Sequence, residues 1–319
     1  MHIIIPDNLH QAGLDILDAT DGITYDAYTK MPREDLLADA GKADGLIIRS
    51  ASTIDAEMFD ALTQVKAIAR AGVGVDNIDL NVATERGVVV MNAPDGNTIA
   101  TAEETLALML ALARHIPQAH QSMLDNRWDR KLYTGTELRA KTLGVIGFGR
   151  VGQAVTRRAQ AFDMNVIAYD PFVKPDVAEE KGVKLLSLAD VLSQADYITL
   201  HAVVTDDTKN MINAQSIATM KDGVRIINVA RGKLINEADL AAAIESGKVA
   251  GAAVDVYSSE PPENNPLVGL KGVVHTPHLG ASSEEAQVAV AVQAVENLLA
   301  AMQKQEYNSV VNPAVLEKR

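Results

Sequence analysis

The chain has 319 residues and no cysteine. Composition alone therefore excludes disulfides, thiolate metal sites and a cysteine nucleophile. Basic residues are also scarce: 29 Lys plus Arg stand against 42 Asp plus Glu, a formal net charge of −13. Nucleic acid and anionic membrane surfaces attract basic proteins, so neither is expected as a main partner. Long apolar runs are missing too. The longest, TLALMLALA over residues 105–113, falls far below the ~20 residues that span a bilayer. The start, Met1-His2-Ile3-Ile4-Ile5-Pro6-Asp7, lacks the basic and apolar regions of a secretory signal. A soluble, cytoplasmic protein is the expectation. The remaining composition, 47% apolar and 22% charged, is that of a globular chain long enough for two domains.

Short β-prone runs alternate with helical patterns, the signature of βα units and parallel sheets. In the first third, strands are predicted at 2–5, 45–48, 65–69 and 88–91, with helices near 9–19, 33–40 and 55–62. Runs without alternation, such as Leu46-Ile47-Ile48, suit strands covered on both faces. A cluster of turn formers, Asn92-Ala93-Pro94-Asp95-Gly96-Asn97, then breaks the pattern. Thr101 with Glu104 fits a capping box, and Leu106, Met109, Leu110 and Ala113 form an apolar stripe behind it. This helix is predicted to end near His115, closed by Pro117. A second α/β series begins at Thr142, with strands at 143–147, 166–169, 197–200, 225–229, 252–256 and 273–276. One Ala/Val-rich helix, from Ser283 to about Gln303, closes the chain.

Gly147-Phe148-Gly149-Arg150-Val151-Gly152 reads G-x-G-x-x-G between a buried strand and a helix. In that context each glycine has a use: a tight turn, close backbone approach to a pyrophosphate, and close helix–strand packing. The helix N-terminus adds free N–H groups and a positive dipole end. Asp170 stands at the end of the next strand, where a carboxylate accepts bonds from ribose hydroxyls and repels a 2′-phosphate. NAD is thus the expected cofactor, against the plainer reading of a glycine turn in a non-binding α/β fold.

Arg231, Glu260 and His278 each lie just past a predicted strand, where open α/β sheets bind ligands. Together they suit oxidation of a hydroxyl beside a carboxylate. The imidazole takes the hydroxyl proton, the glutamate orients it and stabilises its protonated form, and the guanidinium grips the carboxylate with two parallel bonds. Taken singly, each has a plain alternative as a loop histidine, a solvated acid or a surface ion-pair partner. The joint pattern downstream of a dinucleotide motif favours chemistry. His275 and His278 straddle Pro277 with no thiol or third histidine near them in sequence, so no metal is expected.

These segments, with Arg70-Ala71-Gly72-Val73-Gly74-Val75-Asp76-Asn77, Asn228-Val229-Ala230-Arg231-Gly232, Asp255-Val256-Tyr257-Ser258-Ser259-Glu260-Pro261-Pro262 and Pro277-His278-Leu279-Gly280-Ala281-Ser282, resemble the D-2-hydroxyacid dehydrogenase family over essentially the whole chain. Ile48-Arg49-Ser50-Ala51, Trp128-Asp129-Arg130-Lys131 and Gly135-Thr136-Glu137-Leu138 point to its phosphoglycerate-oxidising branch. The resemblance implies a Rossmann-type NAD domain at 95–282 inserted into a flavodoxin-like substrate domain formed by 1–94 and 283–319. It implies a homodimer or dimer of dimers built through the capped helix and an arm around 115–140. It also implies oxidation of 3-phospho-D-glycerate to 3-phosphohydroxypyruvate, with Arg231 orienting the substrate, Glu260 partnering the histidine and His278 as acid/base.

For this small anionic 2-hydroxy or 2-oxo acid, the resemblance places the Val73 and Gly74 backbone at the carboxylate. Arg49, Ser50 and Arg70 fall at the phosphate end, with Arg130 reaching from a neighbouring subunit. For the cofactor, beside Gly147, Gly149, Gly152 and Asp170 of the glycine motif and its following strand, it adds Val73, Thr101, Arg150, Val151, Ala202, Thr208, Val229, Ala230, Arg231, Asp255, His278, Gly280 and Ala281. The plain reading of Arg49 and Arg70 is a pair of domain-surface charges, and that of Trp128 is interface packing. Two departures stand out. Ala202-Val203 replaces the family's short polar residue and proline at the adenine pocket. The chain also ends soon after Asn308-Ser309-Val310-Val311-Asn312-Pro313, so no C-terminal regulatory domain is expected. The alternatives are a hydroxypyruvate/glyoxylate or other 2-hydroxyacid reductase and an NAD-sensing corepressor-like scaffold.

Overall fold

A computed structural model describes residues 1–318. The chain divides into two compact units, Met1–Asn97 with Ser283–Arg319, and Thr98–Ser282. In chain order the first unit opens with β1 (His2–Ile5), α1 (Gln11–Asp18), β2 (Thr24–Ala27), α2 (Arg33–Asp39), β3 (Gly45–Ile48), α3 (Ala56–Ala61), β4 (Ala67–Arg70), α4 (Leu80–Glu85) and β5 (Val89–Met91). Its five strands pair in parallel in the order β2-β1-β3-β4-β5, the flavodoxin-like order. Every residue of β3 is buried, which explains its unbroken apolar run.

The second unit follows with α5 (Thr98–Arg114), α6 (Ile116–Leu124), β6 (Thr142–Ile146), α7 (Arg150–Ala161), β7 (Asn165–Tyr169), α8 (Pro175–Glu179), β8 (Lys184–Leu185), α9 (Leu188–Gln194), β9 (Tyr197–Leu200), α10 (Ala214–Thr219), β10 (Val224–Asn228), α11 (Glu237–Glu245), β11 (Val249–Val254) and β12 (Val273–His275). Seven parallel strands run β12-β11-β10-β9-β6-β7-β8. The order reverses at β6 and β9, the switch point at which a Rossmann sheet opens a crevice for a dinucleotide.

The chain then returns to the first unit through α12 (Glu284–Leu299). Ser283 caps it by accepting from the Ala286 N–H, and Glu284 and Glu285 favour its positive end. Its buried face, Val290, Ala291, Ala294, Val295 and Leu298, joins Ile3, Ile5, Ile47 and Ala69 in one core. A Cβ on Gly13 of α1 would sit 3.2 Å from that of Ala291, so two small residues bring α1 and α12 close together.

Two expectations are corrected. Thr101 does not start a helix: α5 begins at Thr98, and Thr101 lies buried inside it with its carbonyl accepting from Thr105. Pro117 does not close the helix either. His115, in the left-handed region at φ 55°, ends α5, and Pro117 falls in the first turn of α6, where its missing N–H costs no helical bond.

Candidate active site and cofactor cradle

The glycine loop begins where β6 ends. Gly147 has φ +93°, and a Cβ on it would lie 2.6 Å from the His201 carbonyl carbon. On Gly152 a Cβ would lie 2.1 Å from the Gly147 oxygen, so α7 rests directly on the loop backbone. Gly149 differs: a Cβ there would meet nothing within 4 Å. It is the N-cap of α7 and, being glycine, makes no side-chain cap bond. Open space at a helix N-terminus, with its positive dipole end, fits a dinucleotide pyrophosphate. Arg150 and Val151 form the helix's first turn.

Asp170, directly after β7, accepts from the Phe148 N–H at 2.8 Å through Oδ2. Through Oδ1 it accepts from the Phe172 N–H at 2.9 Å and the Val173 N–H at 3.2 Å. The acid thus ties the glycine loop to the neighbouring turn, and of roughly four acceptor positions on a carboxylate one remains for a ribose hydroxyl. Across the crevice, burial pushes the His201 imidazole down to about 3, leaving it neutral. Ala202 follows it half-buried, and the Thr208 hydroxyl donates to the Val203 carbonyl at 2.6 Å.

The catalytic candidates meet on the loops after β10, β11 and β12. Asn228, buried at the end of β10, donates to the Arg231 carbonyl at 2.9 Å and accepts from the Ala230 N–H at 3.1 Å. That folds the strand's exit and presents Arg231, whose Nη1 donates to the Ala230 carbonyl at 2.7 Å. A Cβ on Gly232 would lie 1.9 Å from the Tyr257 carbonyl carbon, so only glycine lets the loops after β10 and β11 touch. Glu260 Oε2 and His278 Nδ1 lie 2.6 Å apart, and Glu260 Oε1 accepts from the Tyr257 N–H at 3.1 Å. Burial pushes the Glu260 carboxyl up. The His278 bond, the Tyr257 N–H and the nearby charges of His278 and Arg231 outweigh it, and the carboxyl sits below its ordinary value.

His278 itself takes φ +58° and donates its N–H to the Asp255 carbonyl at 2.8 Å. Asp255 is fully buried. Its carboxylate accepts from the Thr276 hydroxyl at 2.6 Å, the Leu279 N–H at 2.6 Å and the Gly280 N–H at 2.8 Å. It buckles the loop that carries the histidine. A Cβ on Gly280 would meet Val229 Cγ1 at 2.8 Å, Asp255 Oδ2 at 3.3 Å and Thr101 Cγ2 at 3.6 Å. Four residues distant in sequence thus share one spot, followed directly by Ala281. Asn228 and Thr276 carry no sequence signal of their own, and Glu104, spaced from Thr101 like a capping-box partner, lies within α5 rather than at its start. Glu104 instead shares its surroundings with Asp255 and Thr276: burial and the Asp255 charge raise its carboxyl, while the Thr276 hydroxyl draws it back in part.

In the first unit, Arg49 and Ser50 leave β3. The Arg49 guanidinium donates to the Asn8 carbonyl at 3.0 Å and to the Gln287 side chain on α12. Burial lowers its pKa, opposed by the Asp7 charge. Arg70 ends β4, and its guanidinium covers Gly72, where a Cβ would clash at 2.0 Å. The Val73 carbonyl accepts from Asn92 at 2.6 Å, and half-buried Gly74 follows. Arg130 is exposed in a short turn, Arg130–Tyr133, of the second unit. Among the described residues no three His, Cys, Asp or Glu side chains group to hold a metal, and no helix is long and apolar enough to cross a membrane.

The profile of the D-isomer specific 2-hydroxyacid dehydrogenase NAD binding domain matches residues 106–280. A D-3-phosphoglycerate dehydrogenase of Archaeoglobus fulgidus is 47% identical over 300 residues, 94% of this chain and 57% of that protein. The chain thus spans little more than half the length of this relative. Among solved structures, a Thermus thermophilus protein aligns with TM-score 0.89 and 36% identity, covering 98% of this chain and 100% of its own. A glyoxylate reductase from Paecilomyes thermophila aligns with TM-score 0.90 and 30% identity, covering 100% and 99%. With the glycine cradle, the paired Glu260 and His278 and these matches in hand, the chain belongs to the D-isomer specific 2-hydroxyacid dehydrogenases and carries the family's NAD-binding domain.

Proposed function

We propose that the chain interconverts 3-phospho-D-glycerate and 3-phosphohydroxypyruvate with NAD. The observation that carries the reading is the 2.6 Å contact between Glu260 Oε2 and His278 Nδ1, with Arg231 close enough to act on the same carboxylate. Bound NAD supplies the hydride acceptor. Glu260 holds Nδ1, so Nε2 is the ring nitrogen available to take the proton from the substrate's C2 hydroxyl, or to return it in reduction. Arg231 offers a planar fork to the C1 carboxylate and polarises the oxygen at C2. Asp170 selects NAD, because a 2′-phosphate beside it would face a carboxylate.

Arg49, Ser50 and Arg70 serve the phosphate end, and the Archaeoglobus relative's name supports that substrate. Arg130 completes it from a second copy of the chain. Exposed Leu124, Trp128 and Leu132 on the arm, at 62%, 78% and 72%, support such a dimer.

A substrate panel tests the reading. The value of kcat/KM for 3-phosphoglycerate should exceed that for D-glycerate about a hundredfold or more, the effect of roughly two charge-assisted hydrogen bonds. Equal efficiency would sink the phosphate assignment and favour the glyoxylate or hydroxypyruvate reductase reading, which the Paecilomyes structure supports. Absence of turnover with any acid, alongside NAD binding, would favour the scaffold. In the same assay His278→Asn should lower kcat about 10²–10⁴-fold. Near-normal turnover in that variant would end the acid/base assignment.

A further inference from the structure

Two side chains with no place in the chemistry described above converge behind the loop that carries Arg49 and Ser50. Asp7, on the exit of β1, is 3% exposed, an unusual place for an acid. Its carboxylate accepts from the Arg49 N–H at 2.6 Å, the Ser52 hydroxyl at 2.8 Å and the Ser52 N–H at 3.3 Å. Asn77, after β4, works on the same loop from the other polarity. Its amide nitrogen donates to the Arg49 carbonyl at 2.7 Å and the Ser52 carbonyl at 2.6 Å. Its own carbonyl accepts from the Ile54 N–H at 2.8 Å.

A segment that leaves a strand has lost its ladder partners, and its peptide groups need others. Residues 49 and 52 have both their N–H and C=O groups satisfied by this one acid and one amide. The two residues between them, Ser50 and Ala51, are exposed. The loop is therefore clamped at both ends and presented at its middle. Five bonds to two largely inward side chains are more than a surface turn of four residues requires, and Ser and Ala at its tip supply no packing that would hold it otherwise.

We infer that Asp7 and Asn77 are positioning residues that fix the 49–52 loop so that the Arg49 and Ser50 groups stand ready for the distal anionic end of the substrate. This rests on the phosphate reading proposed above. Their work is preorganisation: an anion that finds the donors in place does not spend binding free energy on ordering them. Loosening the clamp should therefore raise KM for a phosphorylated substrate more than it lowers kcat, because the reacting C2 end is held by other residues.

The test is reduction of 3-phosphohydroxypyruvate and of hydroxypyruvate by NADH, in the wild-type chain, Asp7→Asn, Asn77→Ala and the milder Ser52→Ala. Each kcat/KM ratio is compared at a temperature where thermal unfolding shows the variant to be folded. Asp7→Asn and Asn77→Ala should each cut the wild-type preference for the phosphorylated acid about tenfold or more, mainly through KM. Ser52→Ala, which removes one of the five bonds and is least able to unfold the chain, should cut it by a few-fold. Variants that lose efficiency equally on both acids, or through kcat alone, would overturn the clamp while leaving the phosphate reading intact. A wild-type chain that does not prefer the phosphorylated acid would overturn the phosphate reading beneath it.

Discussion

Glu260 holds one nitrogen of the His278 imidazole, Nδ1, at 2.6 Å, and the proposed use of the other depends on the glutamate staying ionised. Burial alone would favour its neutral form; the His278 bond and the Tyr257 N–H reverse the sign, so its folded pKa lies below the ordinary carboxylate value. A group lowered on folding contributes stability above its unfolded pKa and loses it as pH falls through the folded one. Glu260→Gln should therefore have a lower Tm than wild type near neutral pH. The gap should close only at pH values below the ordinary glutamate range, and a gap that is constant down to strong acid would refute the assignment. Replacement of the carboxylate also leaves Nδ1 facing an amide, so kcat should fall while NADH still binds. At this scale the sequence marks a group of residues that the structure brings near one another. Arg231, Glu260 and His278 stand out because each follows a strand and their types complement one another. Asp7, Asn77 and Asn228 did not stand out, because they act on backbone groups, and a buried acid or amide in a loop reads in sequence like a solvated one.

Element by element, the strands legible in sequence are those with continuous apolar runs, such as β1, β3 and β9. The overlooked ones are β2, whose edge position leaves three of four residues exposed, and the two-residue β8. Neither carries the pattern that burial on two faces imposes. α5 starts a full turn before the point that the capping-box spacing of Thr101 and Glu104 suggests, and both residues are engaged with the loops after β11 and β12. Local chemistry suggested a cap and tertiary packing used the same residues otherwise. The closing helix follows its Ala/Val-rich pattern and has a specific role. Leu298 on α12 is fully buried against the first sheet's core. Leu298→Ala should cost about 2–5 kcal/mol in urea unfolding. A loss under 1 kcal/mol would show that α12 is peripheral to that core.

At the level of the whole chain, the alternation of strands and helices announces two parallel sheets but not their nesting; that expectation came from family resemblance. The reason is physical. An Ala/Val-rich helix carries no mark of which sheet it will cover, because any parallel sheet offers a similar apolar face. In the structure the unit Thr98–Ser282 is continuous and owns both of its core clusters. The first unit is not continuous, since Val290, Ala291, Ala294, Val295, Leu298 and Val315 complete the core begun by Ile3, Ile5 and Ile47. Asn312 adds polar ties, accepting from the Val90 N–H at 2.9 Å and donating to the Val88 carbonyl at 3.0 Å. The two pieces should therefore behave differently when cut. A fragment of residues 98–282 should unfold cooperatively by itself, and its Tm should rise with added NAD, as binding to the folded state alone requires. A fragment of residues 1–97 exposes the sheet face that α12 covers, and should bind a hydrophobic dye and aggregate until residues 283–319 are supplied in trans. Cooperative folding of 1–97 alone, or failure of 98–282 to fold, would show that the division of the core between the two units is not what holds the chain together.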